Sequence, residues 1–163
     1  MPEIEHLRKL IHEVPIRLER LSIAKIEGKP SPSKWSPKEE LGHLLDSAAN
    51  NHQRIVRTQL QDNPAIPGYD GNRWVELHCY QQRNWREMVD VWRALNQQLS
   101  AAAEAVPNHA WTRTCTIADS QPLTLKFVFE DYVDLMLHHL SHIGIDVNDL
   151  KLKTENRELT TKH

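Results

Sequence analysis

The sequence predicts an all-α protein, a four-helix bundle with long inter-helix loops. Three observations carry that prediction. Apolar residues recur at three- and four-residue steps in four separate segments, the period of a helix buried along one side. Between the segments lie stretches rich in Gly, Pro, Asn, Asp and Ser, which cannot continue a helix. There is no βαβ alternation, no internal repeat and no Gly-rich phosphate loop, so helices must supply the core by packing on each other.

In the first segment, Ile4, Leu7, Ile11, Val14, Leu18 and Leu21 form a seam with steps of 3, 4, 3, 4 and 3. One amphipathic helix over 3–26 is expected, kinked at Pro15, where a backbone hydrogen bond is lost. His6 and His12 fall off the seam and are expected in solvent. The stretch GKPSPSKWSP, 28–37, reads as a linker that ends in a helix start. Ser36 fits the N-cap, Pro37 the first helical position and Glu39 the third, which together make a capping box. The second helix then runs from Pro37 to about Leu60, with a stripe of Leu41, Leu45, Ala48, Ile55 and Val56. Trp35, just before the cap, should pack back on the bundle.

Residues 61–74 are turn-rich and read as a loop. The third helix should begin between Arg73 and Gln81 and end near Glu104. Val91, Leu95 and Leu99 form its row, with Met88 and Trp92 alongside. Trp85 and Trp92 read as core anchors. The irregular stretch 106–125 contains TRTCTI, whose β-branched content suits a short strand, and His109, expected in solvent. Thr124 can cap a fourth helix that reaches about Ile145. The domain organisation is then a bundle over 1–146 and a polar tail over 147–163.

The chain has 163 residues, 39% of them hydrophobic, enough for one core. Lys and Arg total 20 against 22 Asp and Glu, a net charge of −2. Phosphate binding needs a positive surplus, so no nucleic-acid partner is expected. No stretch is apolar enough to span a membrane, and the start MPEIEHLRKL lacks the form of a signal peptide. Cys79 and Cys115 are in no CxxC arrangement and read as free thiols of a cytoplasmic protein. Apolar residues outside one seam, such as Leu10 and Ile16, leave a patch that a homodimer would cover.

Ten histidines are many for this length, and three of them stand in LMLHHLSHIGID, the most apolar segment. A buried imidazole is costly unless hydrogen-bonded or coordinated. His138 and His142 are i and i+4, the spacing at which two helical histidines hold one metal ion. His139 and His142 offer a competing i, i+3 pair, and core histidines bonded to backbone or carboxylate are the alternative to metal. Two ligands do not complete a site. Further candidates are His43, His52, His78 and Asp134. Periodicity favours His52, which falls on the apolar stripe of the second helix, and leaves His43 on a solvated face.

KWSPKEELGHLLDSA, 34–48, together with LHHLSHIGI, 137–145, resembles the DinB family and its YfiT-like branch. The family pattern W-S-x-x-E-x-x-x-H-L-x-D is met by Trp35, Ser36, Glu39, His43, Leu44 and Asp46. The later H-x-x-x-H is met by His138 and His142, followed by Gly144. The resemblance spans about residues 3–146. It implies a four-helix bundle and a divalent metal, zinc or nickel, held by His43, His138 and His142, so it overrides the periodicity reading for His52. The family often has Gln three residues after the last histidine, where this chain has Ile145.

A three-histidine site leaves coordination positions open for water or substrate. The resemblance implies a metal-dependent enzyme that transfers a low-molecular-weight thiol to a small electrophile. A metal-dependent hydrolase and a non-catalytic metal-binding or ligand-sensing module are the alternatives. Asp46 and Asp134 are candidate orienting groups or bases behind the ligands.

Overall fold

The computed structural model describes residues 1–150. Four long helices form the bundle: α1 (Pro2–Leu18), α3 (Pro37–Leu60), α5 (Trp85–Glu104) and α6 (Leu125–Ile143). Two short helices, α2 (Ile23–Glu27) and α4 (Gly71–His78), lie in the connections. α3 is the central element, packed against both α5 and α6, while α1 packs mainly on α5. The core is made by Leu7, Leu10, Val14 and Leu18 of α1, Leu41, Leu44, Ala48 and Ile55 of α3, Trp92 and Leu99 of α5, and Phe129, Tyr132, Met136 and Leu140 of α6.

The start of α3 forms as its sequence dictates. Ser36 accepts a hydrogen bond from the Glu39 amide, and the Glu39 carboxylate accepts one from the Ser36 amide, closing the capping box. Ser36 Oγ also donates to Gln81 at 2.5 Å, which ties this corner to the turn between α4 and α5. α6 begins where expected, with Thr124 accepting from the Phe127 amide.

Several expectations change. The single helix over 3–26 is two helices. α1 runs through Pro15 and ends at Leu18, and Ser22 caps α2 by accepting from the Lys25 amide. The third helix starts later, at Trp85, because Asn84 supplies its cap. Residues 71–78 form α4, capped by Asp70, and Cys79 breaks the chain direction with φ 51°. The buried row of α5 is Met88, Trp92, Asn96, Leu99 and Ala103, whereas Val91 is 46% exposed. His6 is buried, not solvated, because residues 146–150 fold back over α1 and its Nε2 bonds to the Leu150 carbonyl. Val147 and Leu150 join the core cluster. The rest of the expected polar tail, 151–163, lies outside the described residues.

TRTCTI does contain a strand, β2 (Thr114–Ile117). It pairs in parallel with β1 (Ala65–Ile66), Ala65 opposite Thr116, and antiparallel with β3 (Leu123–Thr124), Cys115 opposite Leu123. This small sheet ties the two long loops together beside α6, with Ile66 and Cys115 packed on Val128. Cys79 is exposed, Cys115 is buried and both are free. Trp85 is partly buried and donates through its indole N–H to the Leu18 carbonyl at 3.1 Å, and His109 is exposed. Leu10 is fully buried, and Ile16 is 44% exposed. No helix among the described residues is long and apolar enough to cross a membrane.

Candidate metal centre

The capping box sets the register of α3, and that register places Glu40 and His43, three residues apart, on one face. α6 brings His138, His139 and His142 opposite them. Glu40 lies between two imidazoles: its Oε2 pairs with His139 Nδ1 at 2.7 Å and its Oε1 with His142 Nδ1 at 3.2 Å. Glu40, His139 and His142 each offer a ligand atom within 4.8 Å of the others. Glu40 and His139 are largely covered, while the His142 side chain is 46% exposed.

His43 and His138 complete the cluster. The His43 ring lies 4.5 Å from that of His139, and the His138 ring 4.2 Å from that of His142, centroid to centroid. His43 is 9% exposed, and its Nδ1 is buried with no hydrogen-bond partner among the described residues. Trp35 covers it from one side at 5.0 Å between ring centroids, Tyr69 from another at 6.4 Å. At the start of α4, Gly71 presents bare backbone to the ring: a Cβ there would sit 3.1 Å from His43 Cε1. Burial, reinforced by the neighbouring His139, holds the His43 imidazole down at about 4. His138 is also lowered, first by desolvation and then by His142 and His139. Both shifts favour neutral rings with free lone pairs, the form that coordinates a cation. A cleft of about 370 Å³, lined by Trp35, Lys34, Asn72, Glu40, His139 and His142, opens directly beside the donors.

Periodicity misjudged His43. The face of α3 opposite its apolar stripe is not solvated, because Trp35, the loop at Tyr69–Gly71 and α6 cover it. His52 is half-buried on another part of α3. Of the residues expected to hold metal, His142 belongs to the three-donor group, and His43 and His138 meet its histidines edge-on. Asp46 is turned to a different neighbourhood, where it accepts from Tyr80 at 2.6 Å and pairs with His78 Nδ1 at 3.2 Å. Asp134 is exposed on α6, and its charge is felt by His6 and Asp131. Ile145 is 6% exposed in the core, so packing replaces whatever a polar side chain would do there. Glu40 is the residue that sequence reasoning missed. The available signal was its i, i−3 spacing from His43, which puts a carboxylate on the same face.

Helices α1, α3, α5 and α6, with one carboxylate and four histidines gathered between α3 and α6, define a class of four-helix proteins built around a candidate metal centre. The chain belongs to the DinB superfamily, whose pattern it matches over residues 6–142. It is 23% identical over 141 residues to a proposed metal-dependent hydrolase of Halalkalibacterium halodurans, covering 86% of this chain and 80% of that one. The solved structure of YfiT from Bacillus subtilis, described as a proposed metal-dependent hydrolase with an unusual four-helix bundle topology, superposes with a TM-score of 0.77. It is 22% identical and covers 86% of this chain and 83% of YfiT. A mycothiol-dependent maleylpyruvate isomerase shares the fold at a TM-score of 0.72 and 11% identity, covering 91% of this chain and 64% of that protein.

Proposed function

We propose that this protein is a divalent-metal-dependent enzyme that transfers a low-molecular-weight thiol to a small electrophile. The observation that carries the reading is the buried, neutral His43, whose Nδ1 has no hydrogen-bond partner among the described residues, packed against Glu40, His139 and His142, which themselves line a cleft with room for a small molecule. A metal site closed on all sides by protein would be structural. Here Glu40, His139 and His142 line a cleft, so a coordination position left open on their side would face space.

Motif order assigns the ligands as His43, His138 and His142. Glu40 then acts behind them, accepting the Nδ1–H of His142 and His139 and so fixing ring tautomer and orientation. The geometric alternative is Glu40, His139 and His142 as direct ligands. When bound, a zinc or nickel ion supplies Lewis acidity and stabilises a thiolate at neutral pH. The chain's own residues bind and orient. Trp35 offers a flat apolar wall, and Lys34 and Asn72 offer donors to polar groups of the substrate. In the transfer, a sulfur–carbon bond forms, the bond from carbon to its leaving group breaks, and the thiol proton departs with that group.

The names of the bacterial relatives favour a second reading, hydrolysis, in which water takes the place of the thiol. The test has two stages. Metal per chain is measured on protein purified without a nickel column, for the parent and for Ala variants of Glu40, His43, His52, His138, His139 and His142. Loss in the His43, His138 and His142 variants with retention in His52→Ala supports the motif assignment. Loss in Glu40→Ala and His139→Ala with retention in His138→Ala replaces it by the geometric set. The metal-loaded protein is then assayed for consumption of cysteinyl thiols against a small aryl halide, and for ester and amide hydrolysis. A parent that binds no divalent metal would overturn both readings.

A further inference from the structure

A second cleft, of about 330 Å³, opens between α3, α4 and α5, and no residue lining it lines the cleft at the metal centre. Its inner wall carries Asp46, a carboxylate only 4% exposed. Tyr80 donates to Asp46 Oδ1 at 2.6 Å, and His78 Nδ1 lies 3.2 Å from the same oxygen. Oδ2 has no hydrogen-bond partner among the described residues. Buried carboxylate oxygens are normally satisfied, and one left bare is costly. The rest of the cleft is built for a compact apolar body: Trp74 on one side and Met88, Val91 and Leu95 of α5 on the other, with Val91 held 46% exposed at the edge. Glu87 adds a second acidic group and Arg83 an opposing charge. Both are exposed, where solvent screens them, whereas Asp46 acts from a medium of low dielectric.

We propose that this cleft binds a small molecule carrying a protonated primary amine on an aromatic or apolar body, with the amine on Asp46 and the body against Trp74. Three features select that chemistry. An ammonium brings the N–H donors that Oδ2 lacks and the charge that offsets a desolvated carboxylate. The face of Trp74 favours a cation or an aromatic ring over an anion. An anion would meet Asp46 and Glu87 and gain only the exposed Arg83. His78, with its side chain 41% exposed and the longer of the two contacts to Asp46, is the group that yields as the amine enters. The site is independent of the metal-centre reading, since Glu40 and the cluster histidines take no part in it.

The experiment titrates three isosteric probes, phenethylamine, 2-phenylethanol and phenylacetate, into the full chain stripped of metal. Calorimetry and the fluorescence of the tryptophans follow binding. The amine should bind at least about tenfold more tightly than the alcohol or the acid, the scale of a charge-assisted hydrogen bond. Asp46→Asn keeps an oxygen for Tyr80 and removes the charge, so it should abolish that preference, while Glu40→Gln should leave it intact. Circular dichroism and the thermal midpoint check that Asp46→Asn folds. If it does not, the probe series on the parent and on Trp74→Leu still decides, since loss of the aromatic wall should weaken the amine. Equal binding of the three probes, or a preference that survives Asp46→Asn or disappears in Glu40→Gln, overturns the proposal.

Discussion

Replacing Gly42 by Ala sets local propensity against packing. Gly42 lies inside α3, and helix propensity alone credits the substitution with about 1 kcal/mol of stabilisation. The structure reverses that sign. A Cβ at residue 42 would sit 2.1 Å from Tyr80 Cδ2 and 2.2 Å from its Cγ, where ordinary contacts begin at 3.4 Å. The ring would have to retreat by more than 1 Å, the gap between those distances. It has little freedom to do so, being 5% exposed and hydrogen-bonded to Asp46. If the ring stays, the helix must shift, at an overpacking cost of about 1–3 kcal/mol. If it leaves, Asp46 loses its shorter bond and a buried carboxylate goes short of donors, again costing about 1–3 kcal/mol. Either route costs about 1–3 kcal/mol, so after the propensity gain of about 1 kcal/mol the net expectation is a loss of up to about 2 kcal/mol. Urea unfolding of the metal-free protein measures it as a lowered midpoint at unchanged slope. A double-mutant cycle gives the sharper check: with Tyr80→Ala in place the obstacle is gone, and Gly42→Ala should stabilise by about 1 kcal/mol. Stabilisation in the parent background would refute the argument.

Four further outcomes are expected. His43 titrates at about 4 in the folded, metal-free protein against 6.5 unfolded. Below pH 6.5 the unfolded chain therefore takes up a proton that the native state refuses. Stability is full above that pH, falls as pH drops toward 4 and levels off below, and the gap corresponds to about 3 kcal/mol. Urea midpoints at pH 7 and pH 4.5 for parent and His43→Gln should show the variant losing less; parallel losses would exclude His43 as the cause. Ser36→Ala removes the cap of α3 and the donor to Gln81, so the urea midpoint should fall by the equivalent of about 1–2 kcal/mol. Chelating the metal should lower thermal stability by about 2.7 kcal/mol relative to protein at a hundredfold excess over the dissociation constant, read by calorimetry. Light scattering at micromolar concentration should give a homodimer, and a monomer would remove that expectation.

The parts of this fold that were legible in sequence are those decided locally. The capping box at Ser36 and the Thr124 cap depend on neighbours three or four residues away, and the structure forms both; of the expected seams it buries Leu7, Val14 and Leu18 of α1 and Leu41, Leu45, Ala48 and Ile55 of α3. What sequence reasoning misplaced depends on distant chain. His6 is off the seam of α1, and only the return of residues 146–150 buries it. The break between α4 and α5 follows from a left-handed Cys79 and the Asn84 cap, a turn that apolar periodicity does not register. The candidate site shows the same division. Periodicity sorts residues into apolar and polar faces, and it assumes that a polar face meets water. On α3 the polar face of Glu40 and His43 meets the imidazoles of α6 instead, under Trp35 and Tyr69. The family motif singled out His43, which periodicity placed in solvent and the structure buries against His139. It was silent on Glu40, since a carboxylate one turn before a histidine at the start of a helix is also what an ordinary helix N-terminus attracts. Only the approach of α6 to 2.7 Å distinguishes the two roles, and so the carboxylate most closely engaged with the cluster is the one whose local context gave least reason to select it.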